Sequence, residues 1–112
     1  MGFVIRDATV EDIPAMVAVE SAGYTFEDDP IGARQLRHLI TRGHADVIVV
    51  ESEGEVIAHA DVLLRRGSKT AHGWSMVVLP EYPHLGATTA LFEWEEARLA
   101  ERGYRAVSFE VR

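Results

Sequence analysis

Val77-Val78-Leu79-Pro80-Glu81-Tyr82-Pro83-His84-Leu85-Gly86-Ala87-Thr88-Thr89-Ala90-Leu91 is the stretch whose reading decides the fold. A β-branched run ends at Pro80, which lacks the N–H a ladder needs, and helical spacing begins near Leu85. The segment therefore reads as a strand, a loop and a helix N-terminus. Such a junction can bind an anion. The first amides of a helix have no intrahelical partner and lie at the positive end of its dipole, so a phosphate fits there without any lysine. An ordinary strand-to-helix connection is the plainer reading, and the local residues alone favour it.

Downstream, Ala87, Ala90, Leu91, Trp94 and Ala97 form the stripe expected of a helix over Leu85 to Arg102 that lies on a sheet. Arg98 and Arg102 suit its last turn and Gly103 its stop. Ala106 to Arg112 then reads as a strand parallel to Lys69 to Leu79, because the crossover between them is long. Upstream, Ala45 to Glu51 and Glu55 to Arg65 form a hairpin about Glu53-Gly54, and Arg66-Gly67-Ser68 turns the chain into the Lys69 strand. Phe3 to Asp7 is a first strand. Thr9 with Asp12, or Asp12 alone, caps a helix that carries Pro14 in its first turn and Ile13, Met16 and Val17 on one face. Gly23 to Pro30 is a loop by composition, and Ile31, Leu36, Leu39 and Ile40 mark a second helix that ends near Gly43. The order is βααβββαβ, a mixed α/β sheet, and 112 residues without repeat or linker predict one domain.

The 18 acidic and 11 basic residues give a net charge of −7 with no basic tract, which argues against a nucleic-acid partner. The sequence contains no cysteine, so thiolate chemistry and disulfides are excluded. No apolar run approaches the ~20 residues of a membrane span, and Met1 to Asp7 has no leader pattern, so a cytoplasmic location is expected.

Element order and several short motifs together resemble the GNAT superfamily of acyl-CoA N-acyltransferases. The matching pieces are Ile5-Arg6-Asp7-Ala8-Thr9, Glu11-Asp12-Ile13-Pro14, the Gly54 hairpin, Val78-x-Pro80-Glu81-Tyr82 and Glu101-Arg102-Gly103-Tyr104. The resemblance implies acetyl-CoA or coenzyme A as cofactor and an amine as acceptor. It places the pyrophosphate on the amides of His84, Leu85, Gly86, Ala87 and Thr88, and the thioester carbonyl at the amide of Val77 or Val78. The family signature has Arg or Gln, two residues, Gly, one residue, then Gly or Ala. Those positions here are Pro83, Gly86 and Thr88, so only the glycine matches, which implies weakened cofactor binding. The family also continues past this final strand with a further helix, often holding a catalytic tyrosine, and two strands. By that comparison the domain is expected to be incomplete at its C-terminus.

Transfer to an amine needs a group that removes a proton. His59 and Asp61 share a strand face with Ile57 and Leu63, and Glu110 lies opposite Val107, Phe109 and Val111. His59 and Glu110 are the candidate bases, each set against a solvated carboxylate or face as the plainer reading. His38, His44 and His72 have no metal-ligand spacing, and no metal is assigned. Glu93, Glu95 and Glu96 are expected on a solvated surface, and Trp94 in the core. The function implied is acetyl transfer to an unidentified amine. The alternatives are a non-catalytic module of the same fold, or a fragment of a longer acetyltransferase. The strand Ala106 to Arg112, with no lysine or proline to block pairing, or the sheet face beside it, is expected to support a homodimer.

Overall fold

The computed structural model describes residues 3–23, 32–42, 44–64, 70–80, 82, 84–104 and 106–108. Strand β1 (Val4–Asp7) leads through a 3₁₀ turn (Val10–Asp12) into helix α1 (Ile13–Gly23) and then α2 (Ala33–Thr41). Strands β2 (Ala45–Ser52), β3 (Glu55–Leu63) and β4 (Thr70–Val78) follow, then α3 (His84–Glu101) and β5 (Ala106–Ser108). The sheet runs β1-β2-β3-β4-β5, antiparallel through β4 and parallel between β4 and β5. This is the mixed α/β order expected, with each boundary within two residues of its reading except at β5. There the described strand ends at Ser108, and Phe109 to Arg112 fall outside the described residues.

Local chemistry accounts for the connections. Glu53 and Gly54 both have positive φ, 52° and 82°, which is the backbone of a tight hairpin turn whose twist matches its strands. Thr9 and Asp12 form the capping box that starts the 3₁₀ turn, and Arg6 grips the same Asp12 carboxylate with two bonds of 2.8 Å. At the far end of α3, Tyr104 N–H donates to Leu99 and Gly103 N–H to Ala100, a Schellman closure that needs the positive φ of Gly103, 90°.

The sheet has a helix layer on each side. Val47 and Val49 pack with Ile13, Met16, Leu36 and Leu39 under α1 and α2, while Ile48, Val50, Ala60, Val62 and Met76 pack with Ala87, Leu91 and Leu99 of α3. Two irregularities modify the alternation. Val50 pairs with Ala58 but Glu51 pairs with Val56, so Ile57 is the extra residue of a bulge. Ile57 therefore joins Ala58 on the α3 side, whereas simple alternation put it beside His59. On β4, Asp61 pairs with Ser75 and Val62 with Gly73, which makes Trp74 the extra residue there.

The C-terminal half of α3 is fastened to the sheet by charge. Arg98 reaches Asp7 at 2.7 Å and Asp46 at 3.2 Å, and Arg102 reaches Asp46 at 2.8 Å. Arg98 also stacks on Trp94, 4.3 Å from the ring centre, and Trp94 is half-buried against the core. Glu95 departs from expectation: it is fully buried, because its helical position faces Asp46 and not solvent. Burial and the adjoining Asp46 push its carboxyl up to about 8, so it is protonated at neutral pH. Asp46 is held below its ordinary range; burial opposes this, but hydrogen bonds from Glu95 and Arg102 outweigh it.

Candidate active site

Strand β4 delivers its last residues directly to the start of α3. Leu79 N–H donates to Ile57 C=O across β3 at 2.8 Å. Backbone direction alternates along a strand, so the Val77 amide faces β3 and the Val78 amide points to the opposite side, away from that ladder. Of the two amides implied by resemblance, only Val78 is thus free of β3. Tyr82 N–H then bonds to Leu79 C=O at 3.1 Å, and the helix starts at His84.

The amides of His84, Leu85 and Gly86 lie in the first turn of this 18-residue helix, before its own ladder can satisfy them, and no acidic residue occupies that turn. Gly86 is exposed, and a Cβ there would meet only the Phe3 ring, at 3.5 Å. Ala87 is fully buried and seats the helix on the sheet; Thr88 is half-buried one step later. The five residues named from sequence therefore divide into three with first-turn amides, one packing residue and one hydroxyl. Glu81 and Pro83 lie outside the described residues. An anionic cofactor with a thioester some distance from its phosphates fits this arrangement: open amides at the helix start, a small exposed glycine among them, and one outward strand amide just upstream.

The candidate bases fare differently. Glu110 lies outside the described residues, as does most of the strand expected to dimerise. His59 and Asp61 are fully buried under α1, not on a solvated face. His59 pairs with Val77 in the ladder, and its Nε2 lies 2.9 Å from Glu20 Oε1 while Nδ1 lies 3.9 Å from Asp61 Oδ1. Burial raises the Asp61 carboxyl to about 6; nearby His59 pulls it down and Glu20 adds to the rise. Sequence reasoning missed Glu20. The available signal was its position, seven residues after Ile13 and four after Met16, which continues the buried stripe of α1. His38 and His44 are exposed.

Residues 13–112 match the family model described as the Acetyltransferase (GNAT) family. An amino-acid acetyltransferase of Pseudomonas putida is 32% identical over 100 residues, which is 89% of this chain but 22% of that protein. One from Pseudomonas fluorescens is 29% identical over 103 residues, 92% of this chain and 23% of the relative. The chain thus spans less than a quarter of the length of these relatives. Among solved structures, the ribosomal-protein-S18-alanine N-acetyltransferase of Escherichia coli superposes with a TM-score of 0.80 at 20% identity, over 95% of this chain and 64% of that one. The PaiA N-acetyltransferase of Thermoplasma acidophilum, solved with coenzyme A, gives 0.82 at 16% identity, over 93% and 76%. With the strand-to-helix junction built as described and the family match covering nearly all of its length, the chain belongs to the GNAT acetyltransferase family.

Proposed function

We propose that the chain transfers an acetyl group from acetyl-CoA to the amine of an amino acid. The observation that carries this reading is the Val78 amide, turned away from β3, followed six residues later by the first-turn amides of α3, which the helix's own ladder does not engage. The acceptor class comes from the named amino-acid acetyltransferases that this chain resembles at about a third identity. When bound, acetyl-CoA supplies the acyl thioester. The amides of His84, Leu85 and Gly86 would hold the pyrophosphate at the positive end of α3, and the Thr88 hydroxyl would add a donor. The Val78 N–H would donate to the thioester carbonyl oxygen, a bond that strengthens as negative charge develops there and so lowers the barrier. The acceptor nitrogen must lose one proton and the departing sulfur must gain one. Glu110 is the residue proposed to take the first, the departing thiolate takes its proton from solvent, and His59, being buried, acts on an amine only through intervening groups.

Pro83 and Thr88 depart from the family signature, and on that ground the cofactor is bound weakly. The same departures favour a second reading, a non-catalytic module of this fold. Calorimetric titration with coenzyme A separates the two. The enzyme reading expects measurable binding that tightens about 10-fold or more in Pro83→Arg with Thr88→Gly, one recovered charged contact being worth ~1.5 kcal/mol or more. No heat at millimolar coenzyme A, in wild type and double variant alike, leaves the module.

A further inference from the structure

The outer face of α2 gathers positive charge. Leu36 and Leu39 of this helix are buried against the sheet, which leaves Arg34, Gln35, Arg37, His38, Thr41 and the following Arg42 exposed. The 12 residues from Ala33 to His44 hold three arginines and no carboxylate, in a chain whose net charge is −7. Among the described residues none of these three guanidiniums enters an ion pair, whereas Arg6, Arg98 and Arg102 all do. Arg34, Arg37, His38, Thr41 and Arg42 line an open hollow of about 450 Å³. Arg34, Gln35, His38 and Leu39 line another of about 330 Å³, so the two adjoin at Arg34 and His38.

Helix chemistry by itself disfavours this arrangement. Arg34 is the second residue of α2, at the end where the dipole favours negative charge, and the first turn holds no acid. Arg37 stands three residues on, a like-charge neighbour that costs ~0.2–0.5 kcal/mol. Arg42 alone suits its place, at the negative end of the dipole, where its N–H closes the last turn on His38 C=O at 2.8 Å. An anion in the hollow would oppose the repulsion and engage the guanidiniums together. Each guanidinium offers five N–H donors in a planar fork, and the three are strung over roughly 12 Å of helix. A lone carboxylate, with one charge and two oxygens, fills one fork. A terminal phosphate carries about −1.5 to −2 with three acceptor oxygens, and two linked phosphates reach neighbouring forks at once. The Thr41 hydroxyl donates to Arg37 C=O at 2.7 Å, so Thr41 serves as wall and the donors are the arginines.

We propose that this hollow binds a small molecule bearing two or more phosphate groups, held by Arg34, Arg37 and Arg42. It lies on the α1 and α2 side of the sheet, opposite α3, so it is separate from the junction assigned to coenzyme A and does not depend on acetyl transfer. The competing occupant is an acidic polypeptide segment, whose carboxylates would meet the forks one at a time.

The test titrates inorganic pyrophosphate into the intact, isotope-labelled protein at constant ionic strength and follows backbone amides and arginine Nε–H groups by NMR. Saturable shifts over Ala33 to Arg42, with sulfate at least 10-fold weaker, are expected. Arg34→Gln with Arg37→Gln should weaken pyrophosphate at α2 about 10-fold or more and leave coenzyme A affinity unaltered. Arg34→Lys with Arg37→Lys keeps the charge but loses the fork, and should weaken it about 3-fold or more. In Gly86→Asp the α2 response should persist even where the α3 response is lost, so failure of the coenzyme A reading and failure of this one are told apart. Should a variant fail to fold, the wild-type comparison of pyrophosphate with sulfate still decides. No saturable shift on α2 at millimolar pyrophosphate, equal affinity for sulfate, unchanged affinity in either arginine variant, or tighter binding of a glutamate-rich peptide than of pyrophosphate overturns the proposal.

Discussion

Replacing Gly86 with aspartate separates the cofactor reading from the fold. Gly86 sits in the first turn of α3, exposed, with only the Phe3 ring near a new Cβ at 3.5 Å, an ordinary contact. A carboxylate in a first helical turn is favourable by ~0.3–1 kcal/mol, and removing a glycine from a helix adds ~0.5 kcal/mol or more. The variant should therefore melt no lower than wild type. Binding should move the other way. A carboxylate ~5 Å from a phosphate charge is repelled by 332/(80 × 5), or ~0.8 kcal/mol, at the dielectric of water, and by ~3 kcal/mol at an effective dielectric of 20. An exposed turn in physiological salt, with a Debye length of ~8 Å, lies nearer the lower figure per charge. With about two charges on the pyrophosphate, ~1.4–2.8 kcal/mol results, a 10- to 100-fold loss of coenzyme A affinity. Calorimetry with coenzyme A, beside thermal melts, reads both quantities. A folded Gly86→Asp protein that binds coenzyme A as wild type does would show that the pyrophosphate lies elsewhere.

Glu95→Gln should alter the pH dependence of stability. The folded carboxyl titrates at about 8 against an ordinary 4.5, so the folded state holds the extra proton between those values and stability falls as pH rises through that window. Glutamine keeps a donor toward Asp46 and cannot ionise, so urea midpoints from pH 5 to 8 should flatten; an unchanged slope would count against a protonated Glu95. Gly103→Ala should cost ~1–2 kcal/mol, since its φ of 90° is a left-handed backbone that a Cβ opposes, with coenzyme A affinity unaltered. Equal stability in denaturant titration would mean that the helix end relaxes into another closure.

The parts of the fold visible in the sequence are those where one local signal dominates. Pro80 after a β-branched run, the apolar stripe from Ala87 to Trp94, and Glu53-Gly54 each marked an element without help from distant residues. The bulge at Ile57 was invisible because it depends on how many residues the partner strand offers between two pairings, not on Ile57 itself. Glu95 misled for a related reason. It looks like its neighbours Glu93 and Glu96, and only the arrival of Asp46 from β2, beside Arg98 and Arg102 at the end of the same helix, creates a place where a carboxyl is buried and neutral. The outward amide of Val78 likewise needed the Leu79 bond to Ile57 to fix the parity of the strand.

The extra residue at Ile57 makes the two halves of β3 run out of phase. Val56 belongs with the α1 and α2 side, Ile57 and Ala58 both belong with α3, and from His59 onward the alternation starts afresh. Odd and even positions thus exchange meaning within one strand. The hairpin tip at Glu53-Gly54 and the buried pair His59 and Asp61 are therefore addressed independently: the composition of one half places no constraint on which side the other half turns to the helices.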